Sequence, residues 1–198
     1  MRHPMSAILA SLLALPAMAA LAPGDTAPDF TAKASLAGKE FTYVLRDELK
    51  KGPVVVYFYP AAFTSGCNIQ AHTFSENIAN FRAAGATVVG VSLDKIATLN
   101  DFSSDPKYCA GKLPVASDAD GKIAKSYQLK VAEAQSGVKD SRGTEIDHGF
   151  AERTTFIVTP DGKIHDTVGG VGGAENVAKT LEAVRQLRGG SAASKAAQ

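Results

Sequence analysis

The chain has 198 residues, 45% of them hydrophobic, with 21 Lys and Arg against 20 Asp and Glu. That length suits one well-buried domain rather than two, and the ordinary apolar content excludes a disordered or collagen-like polypeptide. Near-neutral charge without a Lys/Arg cluster argues against a nucleic-acid groove or a polybasic membrane patch, and no stretch reaches the roughly 20 apolar residues of a membrane span.

In chain order, the first element is an address. Arg2 and His3 precede an apolar stretch, Ala7 to Leu15, broken only by Ser11; Pro16-Ala17-Met18-Ala19 then supplies a small-x-small cleavage pattern. This predicts an export signal over 1–19, cut after Ala19, a single domain over 20–188 and a flexible Gly/Ser/Ala/Lys-rich tail over 189–198. The mature protein is expected in the periplasm or outside the cell. An oxidising compartment permits disulfides. The only cysteines, Cys67 and Cys109, could form a static bridge contributing roughly 4 kcal/mol in the chain-entropy model, or one could be reactive. Composition leaves both open.

Pro23-Gly24-Asp25 and Pro28-Asp29-Phe30 form a turn-rich entry. Pro53 to Tyr59 is an unbroken β-branched and aromatic run, predicting a central strand buried on both faces. Pro60 ends it. After a loop over 61–66, Ala71, Phe74, Ile78 and Phe81 mark one face of a helix begun near Cys67 and ended by Gly85. Thr87 to Ser92 reads as a second buried strand, 95–104 as a helix, Leu113 to Ala116 as a short strand, Asp118 to Gly121 as a turn and Ile123 to Tyr127 as a helical turn. Residues 129–151 receive no assignment. Thr154 to Val158 and Lys163 to Val168 flank the hairpin signal Thr159-Pro160-Asp161-Gly162. Ala174, Val177, Leu181, Val184 and Leu187 stripe a closing helix, preceded by a glycine-rich stretch, 169–173, read as a flexible loop. The order predicts an α/β domain with a mixed central sheet flanked by helices, for which a thioredoxin-like layout suffices.

Chemistry concentrates in Pro60-Ala61-Ala62-Phe63-Thr64-Ser65-Gly66-Cys67. A cysteine in the first turn of a helix sits where free backbone N–H groups and the helix dipole favour an anion, and thiolate is the nucleophile. Lowering an ordinary thiol from near 8.5 to about 6 takes roughly 3.4 kcal/mol, while a helix terminus supplies about 0.3–2 kcal/mol. A fixed cation is therefore expected nearby. Arg153, immediately before a strand, is the best placed; Arg82, Arg185 and Arg188 fall on helix surfaces, and Arg46 and Arg142 have no strand to hold them. Phe63 is expected to form an apolar pocket wall. His72, His148 and His165 share no ligand spacing and read as ordinary surface or pocket-edge residues.

The stretch Pro60…Thr64…Cys67 matches the Pro-x-x-x-Thr/Ser-x-x-Cys signature of the peroxiredoxins, and Arg153-Thr154-Thr155-Phe156 resembles their downstream Arg-x-Thr-Phe segment. Gln70, three residues after the cysteine, is similar to the Q-type (bacterioferritin-comigratory) branch. The resemblance implies a thiol peroxidase acting on hydrogen peroxide and organic hydroperoxides without metal, haem or flavin. Cys67 would attack the peroxide and become a sulfenic acid, Thr64 would hydrogen-bond peroxide and thiolate, Pro60 would shield the sulfur, and Arg153 would stabilise negative charge. The position where many Q-type members carry a resolving cysteine is His72 here and the C-terminal resolving cysteine of the typical two-cysteine branch is missing, so Cys109 is the remaining candidate resolving thiol, with an unrelated role for Cys109 in a one-cysteine enzyme as the alternative. An external thioredoxin-like or glutaredoxin-like reductant and a monomer or homodimer are expected. Competing readings are a periplasmic thiol–disulfide oxidoreductase, which would ordinarily show Cys-x-x-Cys, and a non-catalytic module with a structural Cys67–Cys109 bridge.

Overall fold

The structure, a computed structural model, describes residues 20–196, with side chains to 190; the export signal expected over 1–19 lies outside the described residues. Seven strands form one mixed sheet, in the order β2-β1-β5-β4-β3-β8-β9. They are β1 (Thr31–Leu36), β2 (Lys39–Val44), β3 (Val54–Phe58), β4 (Thr87–Ser92), β5 (Val115–Ser117), β8 (Thr154–Val158) and β9 (Ile164–Gly169). The central β3 pairs parallel with β4 and antiparallel with β8, and β4 continues parallel to β5. This is the thioredoxin-like α/β arrangement expected from the element order.

Alternation along β3 divides the core. Val55 and Tyr57 face a layer that holds α2 (Ser65–Ala83), α3 (Ile96–Ser104) and α5 (Gly173–Ala196). Val54, Val56 and Phe58 face α1 (Leu45–Leu49) and α4 (Lys122–Ser126) on the other side. A strand buried on both faces has no polar period, and the five residues of β3 are all buried.

Three parts of the chain go beyond the sequence reading. Residues 31–44 form the β1–β2 hairpin, closed by Ala37 and Gly38, both at positive φ (52° and 76°), the backbone of a two-residue turn that matches strand twist. The closing helix continues past Leu187 to Ala196, through the segment read as a flexible tail. Residues 129–151, unassigned from sequence, form an excursion. Its ends pair as β6 (Val131–Ala132) and β7 (Phe150–Ala151), and its tip is crossed by a Lys139–Glu145 bridge. Weak apolar periodicity hid this segment, whose order comes from backbone bonds such as Ile146 N to Val138 O and Ser141 N to Phe63 O, both 2.9 Å, rather than from an apolar face of its own.

Candidate active site

Cys67 lies in the first turn of α2, as expected. Thr64 is the extended N-cap residue (φ −98°, ψ 148°), and its carbonyl accepts the Asn68 amide at 2.8 Å. Its hydroxyl makes no capping bond and donates instead to Ala61 O at 2.8 Å. The N–H groups of the first turn are thus left free of a side-chain cap near the Cys67 thiol. That thiol is free and only 2% exposed.

The β3–β8 register decides which cation reaches it. Phe58 pairs with Thr154, so Arg153 emerges level with Tyr59, where β3 gives way at Pro60 to the loop that leads to Cys67. The guanidinium donates from Nη2 to Cys67 Sγ at 3.3 Å. Its Nη1 donates to Gln70 Oε1. Arg153 and Cys67 therefore meet at the end of the sheet where the loop bearing Pro60 and Thr64 leaves β3.

Sequence reasoning treated Gln70 as a branch marker; the structure makes it the support of Arg153. An arginine only donates, so Gln70 must present its carbonyl oxygen and turn Nε2 toward Asn176 Oδ1, 3.0 Å away. Thr155 donates to the same Asn176 oxygen at 2.6 Å, and Asn176 Nδ2 donates to Val168 O at 2.9 Å. The chain has fixed polarity at both ends and is fully buried at Gln70, Thr155 and Asn176. The Gln70 role was accessible from sequence, since it stands one helical turn from Cys67; Asn176 lies on another helix and carries no local signal.

Gly173 corrects the reading of 169–173 as merely a flexible loop. A Cβ there would fall 2.6 Å from Gly66 O, 2.9 Å from Gln70 Cβ and 3.0 Å from Gln70 N. The start of α5 therefore packs against the first turn of α2. Gly173→Ala is expected to destabilise the fold by about 1–3 kcal/mol through overpacking. It should also slow peroxide reduction, because backbone at Gly66 and Gln70 must yield. Thermal unfolding and stopped-flow oxidation check both effects, and an unchanged melting temperature would count against the close approach.

Phe63, expected as a pocket wall, is 2% exposed and belongs to the core. It has φ 58°, a strained value for a non-glycine residue. Its ring meets Phe102 and Tyr108 edge-on, at 5.0 and 5.7 Å. Arg142, set aside from sequence for want of a strand, lies 3.5 Å above the same ring and is held by Asp140 at 2.8 Å. Loop contacts position it instead.

Cys109 is free and fully buried in the same apolar cluster as Cys67. Burial, with the Asp105 charge adding to it, pushes its thiol well above the ordinary range. His72 Nδ1 lies 3.1 Å from Lys107 O, tying α2 to the turn that carries Cys109.

A thioredoxin-like sheet that presents a buried cysteine at the start of its long central helix, under an arginine from the adjoining strand, defines a thiol peroxidase of the peroxiredoxin class. The AhpC/TSA family matches residues 23–167, and the chain belongs to that family. A putative peroxiredoxin of Mycobacterium tuberculosis is 35% identical over 144 residues, 73% of this chain and 82% of the relative. Among solved structures, peroxidoxin BcpB from Mycobacterium tuberculosis superposes with a TM-score of 0.68 at 28% identity, covering 84% of this chain and 97% of that one. The Xanthomonas campestris bacterioferritin comigratory protein gives 0.63 at 25% identity, covering 79% and 91%. These neighbours agree with the Q-type resemblance carried by Gln70.

Proposed function

We propose that the mature protein is an exported peroxidase in which Cys67 reduces hydrogen peroxide and organic hydroperoxides. The 3.3 Å contact between Arg153 Nη2 and Cys67 Sγ carries this reading, because it puts a permanent cation on the nucleophile. Cys67 thiolate attacks the terminal peroxide oxygen, the O–O bond breaks, and the leaving oxygen takes a proton to depart as water or alcohol. Cys67 is left as a sulfenic acid. The Thr64 hydroxyl, which now spends its proton on Ala61 O, keeps lone pairs to accept from the peroxide; shielding of the sulfur falls to Pro60 by the resemblance to the peroxiredoxins. The Cys109 thiol then attacks the sulfenic sulfur, releases water and forms a disulfide. A thioredoxin-like or glutaredoxin-like dithiol restores both thiols.

Resolution needs movement. Cys109 is buried and its thiol is held protonated, so the 105–112 turn must open to bring it forward. Export rests on the N-terminal pattern of residues 1–19.

Intact mass of the reduced mature protein after one equivalent of hydrogen peroxide tests the scheme. The wild type is expected to lose two hydrogens, and Cys109→Ser to gain one oxygen that a sulfenic-acid reagent traps. Oxygen gain without a disulfide in the wild type would reject Cys109 as the resolving residue. Undiminished peroxide consumption by Cys67→Ser would reject the peroxidase site.

A further inference from the structure

The 129–151 excursion touches the loop before Cys67 at Phe63 and reaches the preceding Ala62 through Asp94. Ser141 N donates to Phe63 O at 2.9 Å, while Arg142 covers the Phe63 ring. One residue earlier, Ala62 N donates to Asp94 Oδ2 at 2.8 Å, and Ser92 Oγ donates to the same oxygen at 2.7 Å. The other Asp94 oxygen lies 3.1 Å from His148 Nε2, and His148 Nδ1 lies 2.7 Å from Gly149 O. The side chains of His148 and Asp94 are only 12% and 5% exposed, so this is no ordinary surface histidine.

We infer that His148 is a positioning residue for peroxide reduction, acting through Asp94 to hold Ala62 and the strained Phe63 turn in place beside Thr64 and Cys67. This rests on the reading of Cys67 as the peroxide-reducing thiol. Both ring nitrogens of His148 face acceptors, and only the doubly protonated ring can donate at both. The imidazolium thus neutralises Asp94 and leaves that carboxylate free to receive Ala62 N–H and Ser92 Oγ–H.

The charged groups around His148 support its cationic form. Burial alone would disfavour the charge, but the Asp94 hydrogen bond, the Gly149 carbonyl and the Asp94 and Asp147 carboxylates outweigh it and raise its pKa above the ordinary value. Asp147 is itself paired with Lys95. The remaining charges lining this corner are Asp140, Arg142 and Glu145, of which Asp140 and Arg142 pair with each other. Because the folded-state value is raised, the clamp is complete below it and weakens as pH rises through it.

The test separates loop geometry from thiolate supply. Second-order rates of Cys67 oxidation by hydrogen peroxide and alkylation by iodoacetamide both require thiolate, so their ratio cancels its ionisation. Only the peroxide reaction needs the Thr64 loop in register. In the wild type the peroxide-to-iodoacetamide ratio is expected to fall about tenfold as pH rises through the His148 transition. In H148Q it should be low and independent of pH. A flat ratio in the wild type, or the same fall in H148Q, would overturn the role of His148 while leaving rapid Cys67 oxidation intact. Absence of Cys67 oxidation at every pH would overturn the peroxidase reading and this inference together. The wild-type profile stands whether or not the variant folds.

Discussion

Replacing Arg153 with alanine is expected to slow oxidation of Cys67 by hydrogen peroxide about 10²–10³-fold, the usual cost of deleting one preorganised charge-stabilising donor. At 3.3 Å, a guanidinium and a thiolate attract by about 5 kcal/mol at an effective dielectric near 20; water entering the vacated space offsets part of this. Arg153→Lys should recover only a fraction, because an ammonium cannot donate to Cys67 and Gln70 with one planar fork. Removing the arginine also strands the buried Gln70 oxygen, so a stability loss of about 1–3 kcal/mol should accompany the rate loss. Single-turnover stopped-flow measures the first and chemical denaturation the second. A rate within threefold of wild type would detach the guanidinium from the chemistry.

Asn176→Leu is expected to have the largest effect on stability, although Asn176 touches no reacting atom. The substitution keeps the branched heavy-atom outline, though its methyl groups are bulkier, and abandons Gln70 Nε2, the Thr155 hydroxyl and Val168 O without partners. Each stranded buried group costs about 1–3 kcal/mol, and since the three belong to one network the total should be about 3–5 kcal/mol rather than a simple sum. For a domain of this size that lowers the melting temperature by roughly 10 °C. Gln70 would also lose its fixed orientation, so the peroxide rate should fall with Arg153 left in place. A melting temperature within 2 °C of wild type, read against the scale of about 2–4 °C per kcal/mol, would mean that solvent or a side-chain shift satisfies the three groups.

How these residues became visible differs. The strand over 54–58, the loop and the helix bearing Cys67 were legible because each has a local signal: a continuous apolar run, a proline, then spacing at the helical period. Arg153 could be chosen because it abuts a recognisable strand. Gln70 could have been placed near the sulfur by the same helical period. Asn176 could not, nor could the contacts of Arg142 and His148, since neither lies in a segment with a period of its own.

The glycines show the same limit. Gly38 and its neighbour Ala37 close a tight hairpin, which a sequence pattern can suggest. Gly173 is demanded by the backbone of another helix at 2.6 Å, and nothing around it in the chain announces that.

By itself, the sequence determined the class of fold and the position of Cys67 in a helix's first turn, because these follow from hydrophobic period and turn chemistry; the candidacy of Cys67 as nucleophile came with the resemblance of the Pro60…Thr64…Cys67 spacing to the peroxiredoxins. Only the tertiary structure decided what holds the site in shape: the β3–β8 register that delivers Arg153, the Gln70–Asn176 chain behind it, and the excursion that grips Phe63 directly and Ala62 through Asp94. Those choices join residues far apart along the chain. They are set by the need to bury apolar surface while pairing the buried donors and acceptors behind the site, which the assembled fold does and no single segment can.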